Sequence, residues 1–161
     1  MHSLWLLPSP TLFGKLEQQI EQFALEFQAP LFLPHLTLAS KIKGEKTVLL
    51  DHCKKLASKV MPLETMVEGI GMEDEYFRCL YFRMSCDHAI LQARKTAIEV
   101  FNLKPTTTFN PHLSLLYGHF SEEQKRLAIQ RNIIQFPFTI SFDRLCLVNT
   151  QQEVENWNVL E

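Results

Sequence analysis

Pro34-His35-Leu36-Thr37-Leu38 and Pro111-His112-Leu113-Ser114-Leu115 are one phrase written twice, with the histidines 112 − 35 = 77 residues apart, so each half of a 161-residue chain carries a copy. A second copy arising by chance is expected about once in a few thousand chains of ordinary composition. In an extended segment alternate residues share a face. His35 and Thr37 therefore point one way while Leu36 and Leu38 enter a core, and His112 and Ser114 repeat the arrangement against Leu113 and Leu115. Two core strands that happen to carry a histidine are the plainer reading. The joint recurrence of proline, histidine, hydroxyl and alternating leucine favours a paired site, with two imidazoles and two hydroxyls lining one cleft.

Outward from these strands, the chain alternates strand-like and helix-like stretches. Residues 3–7 read as a short apolar strand stopped by Pro8 and Pro10. Apolar side chains at Leu12, Leu16, Ile20, Phe23 and Phe27 recur every three or four residues and predict a helix over 12–27. Further helices are expected over 46–59, 87–101 and from Ser121 to about Arg131. The last opens on Ser121-Glu122-Glu123-Gln124, an N-cap with acidic first-turn residues. Strands are expected at 35–42, 63–71, 76–84, 112–118, 137–148 and 156–160, with Glu73-Asp74-Glu75 as an acidic turn. No Gly- or Ser-rich linker divides them. One α+β domain over residues 1–161, built from two similar halves, is the expected architecture.

Composition narrows the function. Hydrophobic residues make up 46% and charged residues 21%, which is globular composition. A net charge of −2 and a pI near 6.3 do not fit a general nucleic-acid or membrane-surface binder. No apolar run approaches the ~20 residues of a membrane span, and Met1-His2-Ser3 leads straight into a strand without a basic leader. Cys53, Cys79, Cys86 and Cys146 form no C-x-x-C pair and read as buried free thiols. The expectation is a cytosolic monomer.

A phosphodiester presents an attacked phosphorus, a leaving oxygen and two anionic oxygens. One neutral histidine can take a proton from water while a protonated one supplies the leaving oxygen, and hydroxyls can donate to the anionic oxygens. An ordinary pKa near 6.5 lets either form exist close to neutrality, so a bell-shaped pH profile with a neutral maximum is expected. One histidine per strand is not a zinc ligand set, and neither hydroxyl sits in a G-x-S-x-G elbow. No metal or other cofactor is expected.

His35-Leu36-Thr37-Leu38 and His112-Leu113-Ser114-Leu115 match the H-x-[ST]-x signature of the two-histidine phosphoesterase superfamily. The closer resemblance is to cyclic nucleotide phosphodiesterases of the plant and yeast type. It is carried by Ser3 to Pro8, Phe32 to Thr37, Tyr76-Phe77-Arg78-Cys79, Thr106-Thr107-Thr108, Pro111 to Gly118, and the tail from Leu145 to Trp157. This resemblance implies a bilobal α+β fold of two pseudo-symmetric lobes, each a mainly antiparallel sheet flanked by helices, with the active site between them. It further implies metal-free hydrolysis of ADP-ribose 1″,2″-cyclic phosphate and nucleoside 2′,3′-cyclic phosphates. By position, His35 and His112 are catalytic, Thr37 and Ser114 hold phosphate, and Trp5 and Tyr117 border the nucleotide pocket. His112 is assigned as the base and His35 as the proton donor.

Several residues carry separate expectations. Tyr117 is an odd number of positions from His112 and reaches the cleft only if the strand ends near Gly118. Of Arg78 and Arg83, opposite parity lets at most one face the cleft. Lys41 and Lys43 are expected to be solvated, and His2, His52, His88 and His119 to lie at the surface. Two other functions compete with a small-molecule cyclic phosphodiesterase. One is an RNA 2′,3′-cyclic phosphodiesterase or 2′-5′ RNA ligase acting on RNA ends. The other is a nucleotide-binding module without turnover, against which the four intact motif residues count.

Overall fold

The decisive contact in the fold is a single rung. Strands β2 (Leu36–Ile42) and β5 (His112–Leu116) pair antiparallel at Leu36↔Leu113, the residues that follow the two histidines. Around that rung the register sets His35 across from Ser114 and Thr37 across from His112. Beyond it each strand leaves for its own half of the molecule. The computed structural model describes residues 1–105 and 108–160. Thr106 and Thr107 of the resemblance lie outside the described residues.

All strand pairs are antiparallel. In the first half, β1 (His2–Pro8) lies between β2 and β6 (Phe138–Asn149). In the second, β4 (Leu80–Met84) joins β5 to β3 (Leu63–Met72), and β3 pairs with the first residues of β6. The twelve-residue β6 therefore serves both halves, meeting β3 along Phe138 to Phe142 and β1 from Phe142 to Asn149. A two-residue β7 (Asn158–Val159) adds to the far end of β6. Strand pairing thus runs in a closed circuit, which leaves few edges open.

Helix α1 (Pro10–Phe27) begins with proline in its first turn, where no amide donor is lost, and buries Leu16, Ile20 and Phe23. α2 (Lys46–Val60) and α3 (His88–Val100) pack on each other and on the sheet. α3 is capped by Asp87, whose carboxylate accepts from the Ile90 amide at 3.0 Å and from the Thr65 hydroxyl at 2.7 Å. α4 (Glu122–Gln130) opens with the expected cap, and the reciprocal Ser121–Gln124 bonds complete a capping box. The core collects the inward leucines of both motifs: Leu36, Leu38, Leu113 and Leu115 are fully buried. Truncating one to alanine costs about 2–5 kcal/mol.

Three expected strands are clearly shorter in the structure, those over 76–84 and 156–160 and the one over 112–118, which ends at Leu116. β3 ends at Met72, so residues 73–79 have no partner strand, and Tyr76–Arg78 form a 3-10 turn instead. That turn folds back over β5, where the Gly118 amide donates to the Tyr76 carbonyl at 2.9 Å. The tail forms a 3-10 turn at Val154–Asn156 before its two strand residues. His88 and His119 are exposed as expected, whereas His2 and His52 are half-buried. His52 falls three residues after Leu49 on the buried stripe of α2 and packs its ring on Phe101. Cys53, Cys79 and Cys146 are buried as expected, Cys86 is exposed, and none of the four is joined in a disulfide. No described helix is long and apolar enough to cross a membrane.

Candidate active site

Each histidine is fixed by its own backbone. His35 Nδ1 lies 2.6 Å from the Leu33 carbonyl and His112 Nδ1 lies 2.8 Å from the Asn110 carbonyl, in both cases two residues upstream. A carbonyl can only accept, so Nδ1 carries the proton in both rings and Nε2 is left to do chemistry. The proline before each histidine favours the extended backbone that permits this bond for the residue ahead of it. This repeated device presents two equivalent nitrogens to one cavity of about 440 Å³.

All six candidate residues line that cavity: His35, Thr37, His112, Ser114, Trp5 and Tyr117. Trp5 pairs across the ladder with Thr37, which puts both on the cavity face. Its indole stacks on His35, with ring centroids 3.6 Å apart and planes 11° from parallel. β5 ends at Leu116 and Gly118 adopts φ 141°, so the strand's parity stops applying before Tyr117. Tyr117 stacks on Phe32 at 3.7 Å and faces the cavity with Phe77 and Trp157.

The hydroxyls differ. Thr37 is partly exposed to the cavity, and its hydroxyl has no protein hydrogen-bond partner among the described residues. Ser114 is buried and donates to the Phe77 carbonyl at 2.7 Å, with Tyr117 hydrogen-bonded beside it. Burial holds the Tyr117 phenol well above its ordinary pKa.

The charges are also unequal. Burial pulls His35 down to about 4, against the opposing pull of the Leu33 carbonyl, and the facing His112 adds to the depression. His112 is lowered by burial as well, opposed by the Asn110 carbonyl; Arg78 lowers it further and Glu73 raises it. Both rings are thus neutral at pH 7, which moves the expected pH maximum to the acid side of neutrality.

Arg78 lines the cavity, tied to Glu73 at 2.9 Å and Glu75 at 3.6 Å, whereas Arg83 pairs with Glu68 at 3.8 Å away from it. One arginine faces the cleft, as expected, but Arg78 reaches it from the 3-10 turn, where strand parity does not apply. Lys41 and Lys43 are both exposed, as expected, and Lys41 also sits at the cavity rim. The β1–β2 register slips between Trp5 and His2, and Lys41 takes φ 59°. Phe77 and Trp157 are wall residues that periodicity did not single out. The 3-10 turn and the tail that deliver them show no strand or helix period. Among the described residues, no group of three or more His, Cys, Asp or Glu side chains is placed to hold a metal ion.

The family described as "Cyclic phosphodiesterase-like protein" matches residues 1–161. The chain is 25% identical over 171 aligned residues to a cyclic phosphodiesterase of Arabidopsis thaliana, covering 99% of this chain and 92% of that protein. It is 33% identical over 132 residues to a 2′,3′-cyclic-nucleotide 3′-phosphodiesterase of Phaeosphaeria nodorum, covering 71% of this chain and 67% of that one. Among solved structures it resembles E. coli LigT complexed with 3′-AMP, with a TM-score of 0.60 and 12% identity over 99% of this chain and 94% of that one. E. coli LigT in apo form gives a TM-score of 0.58 at 12% identity, with the same coverage. At these identities LigT shows the shared fold. The sequence match and the fold together place the chain in the cyclic phosphodiesterase-like family of two-histidine phosphoesterases, which makes it a phosphoric diester hydrolase.

Proposed function

We propose that the substrate is a small nucleotide cyclic phosphate, ADP-ribose 1″,2″-cyclic phosphate and/or a nucleoside 2′,3′-cyclic phosphate, opened to a phosphomonoester by water without a metal ion. The observation that carries this reading is the pair of Nδ1-anchored imidazoles aimed into one cavity with a hydroxyl beside each. His112 is the more exposed of the two rings. It takes a proton from the attacking water through Nε2 while that oxygen bonds to phosphorus. His35 is packed against Trp5 on the aromatic side, where the ribose and its base fit. It gives a proton to the ribose oxygen as the P–O bond breaks.

The lowered pKa of His35 means that its proton has to be stabilised by the substrate. The phosphate anion, together with the indole face of Trp5, favours imidazolium once the cavity is filled. Thr37 donates to one anionic oxygen. Ser114 reaches the other by exchanging its Phe77 carbonyl for phosphate, with the Tyr117 phenol beside it. Arg78 adds little net charge, being flanked by two carboxylates.

The test is hydrolysis by purified protein in EDTA, comparing ADP-ribose cyclic phosphate and a nucleoside 2′,3′-cyclic phosphate with an RNA ending in 2′,3′-cyclic phosphate. Turnover of either small substrate at the higher kcat/KM is the expected result. Preference for the RNA end would replace this reading with the RNA-processing one, and binding without turnover would replace it with the non-catalytic one. The net charge of −2 and the aromatic walls of the cavity favour the small substrate.

A further inference from the structure

His35 has an aromatic partner in Trp5. On the other side of the cleft, the ring of Tyr81 stands nearly perpendicular to His112, with centroids 5.4 Å apart and planes at 70°. Tyr81 does not line the cavity. In the β4–β5 ladder His112 pairs with Arg83 and Ser114 with Tyr81, so Tyr81 is the diagonal neighbour of His112, within reach of an aromatic side chain.

On its other strand neighbour, Tyr81 pairs with Gly71 of β3. A β-carbon at Gly71 would come within 2.5 Å of Tyr81 Cζ and 2.7 Å of both Cε2 and the hydroxyl oxygen. No side chain fits there while the ring lies where it does. The hydroxyl then donates to Glu73 Oε1 at 2.6 Å, and the other oxygen of that carboxylate binds Arg78 at 2.9 Å. The Glu73 backbone is itself held by Lys125, a buried lysine whose Nζ donates to its carbonyl at 2.7 Å. Burial and the Glu73 bond push the Tyr81 phenol up to about 12, so it keeps its proton wherever the histidines titrate.

We propose that Tyr81 is a positioning residue for His112: seated on Gly71 and tethered to Glu73, its ring fixes the orientation in which His112 presents Nε2 to the cleft. This rests on the reading of His112 as catalytic. The Asn110 carbonyl restrains one ring nitrogen, and a single hydrogen bond leaves the plane free to rock about it. Tyr81 removes that freedom. The charged and titratable groups around His112 are Arg78, Glu73 and Glu75 from the turn, His35 across the cleft, and Arg83, which pairs with Glu68. A change at Gly71 alters none of these charges.

The experiment follows the ring protons of each histidine by NMR against pH, with His112 assigned from the spectrum of His112→Gln. Alongside it, kcat and KM are measured on a nucleoside 2′,3′-cyclic phosphate. Gly71→Ala displaces the Tyr81 ring. It should lower kcat about 10-fold with KM within about twofold, the scale expected of a misoriented catalytic group. It should also move the His112 titration upward as water gains access, and leave that of His35 in place. Tyr81→Leu should match it, while Tyr81→Phe, which keeps the ring and loses the tether, should cost about threefold. If Gly71→Ala does not fold, the two Tyr81 variants decide the matter. An unmoved His112 titration with wild-type kcat in folded variants would overturn the proposal, as would an equal shift of both histidines. Should the wild-type protein open no cyclic phosphate, the catalytic reading fails, yet the His112 titration still reports whether Tyr81 holds that ring.

Discussion

The first motif packs its histidine away, with His35 only 5% exposed beneath the Trp5 indole and its threonine hydroxyl left open to the cavity. The second leaves its histidine half-exposed among Arg78, Glu73 and Tyr81 and commits its serine hydroxyl to the Phe77 carbonyl. Both share the same tautomer-fixing bond to a carbonyl two residues upstream. Equal backbone devices in unequal surroundings are what a divided acid–base task requires. Two identical environments would give two identical pKa values; here the strongly lowered ring is His35, the proposed donor, so the division of labour requires bound phosphate to raise His35.

The sharpest way to break this comparison is to remove the rings. His35→Ala and His112→Ala should each nearly abolish turnover, and the double variant should be little worse, because the two act as a unit. A substrate with a very good leaving group needs less proton donation and should rescue His35→Ala alone. Rescue of His112→Ala alone would exchange the two roles, and equal rescue of both would end the division of labour.

The hydroxyls come next. Thr37→Ala and Ser114→Ala should each lower kcat by ~10²–10³, the scale of losing one transition-state donor. Ser114→Ala should also cost about 1–3 kcal/mol of stability, because it strips the Phe77 carbonyl of its donor, whereas Thr37→Ala should cost less. Thermal melts separate the two, and equal melts would show that the hydroxyls are equivalent after all.

Acid should strain the first motif most. A histidine held at about 4 when folded and near 6.5 when unfolded leaves the folded state fully stable above pH 6.5. As pH falls through that window the unfolded chain binds the extra proton, at a cost of up to about 3 kcal/mol once pH is below 4. Denaturant midpoints measured between pH 7 and 4 should therefore decline less steeply in His35→Gln than in the parent, and parallel declines would count against the depressed value.

The smallest expected effect is a displaced pH profile. Both rings are lowered by burial, so the kcat/KM bell, which reports the free enzyme, should peak on the acid side of neutrality. The kcat bell should lie at higher pH, because bound phosphate favours imidazolium. The limbs belong to the pair, since the two rings feel each other. Superimposed profiles would mean that the substrate leaves both proton affinities unchanged.

Much of this molecule was legible from periodicity. The four helices fall within one or two residues of their expected limits, because their apolar stripes recur at three and four. Strand alternation correctly puts the motif leucines in the core and the histidines on the other face. What it could not reach is where alternation breaks. The early end of β3 converts Tyr76-Phe77-Arg78 from strand to turn. Trp157 arrives on a tail with no period at all. His52 was legible and was missed, since its spacing from Leu49 and Leu56 continues the buried stripe of α2. The unequal pKa values follow from burial, which no local pattern encodes.

The rung between Leu36 and Leu113 carries a last consequence. The two imidazoles are spaced by main-chain pairing and held by main-chain carbonyls, while the walls come from β1, the 3-10 turn and the tail. Reactive geometry and pocket shape are thus written in separate parts of the chain. A protein engineer could exchange Phe77 and Trp157 to admit a different nucleoside and expect the proton-transfer apparatus to stay where it is.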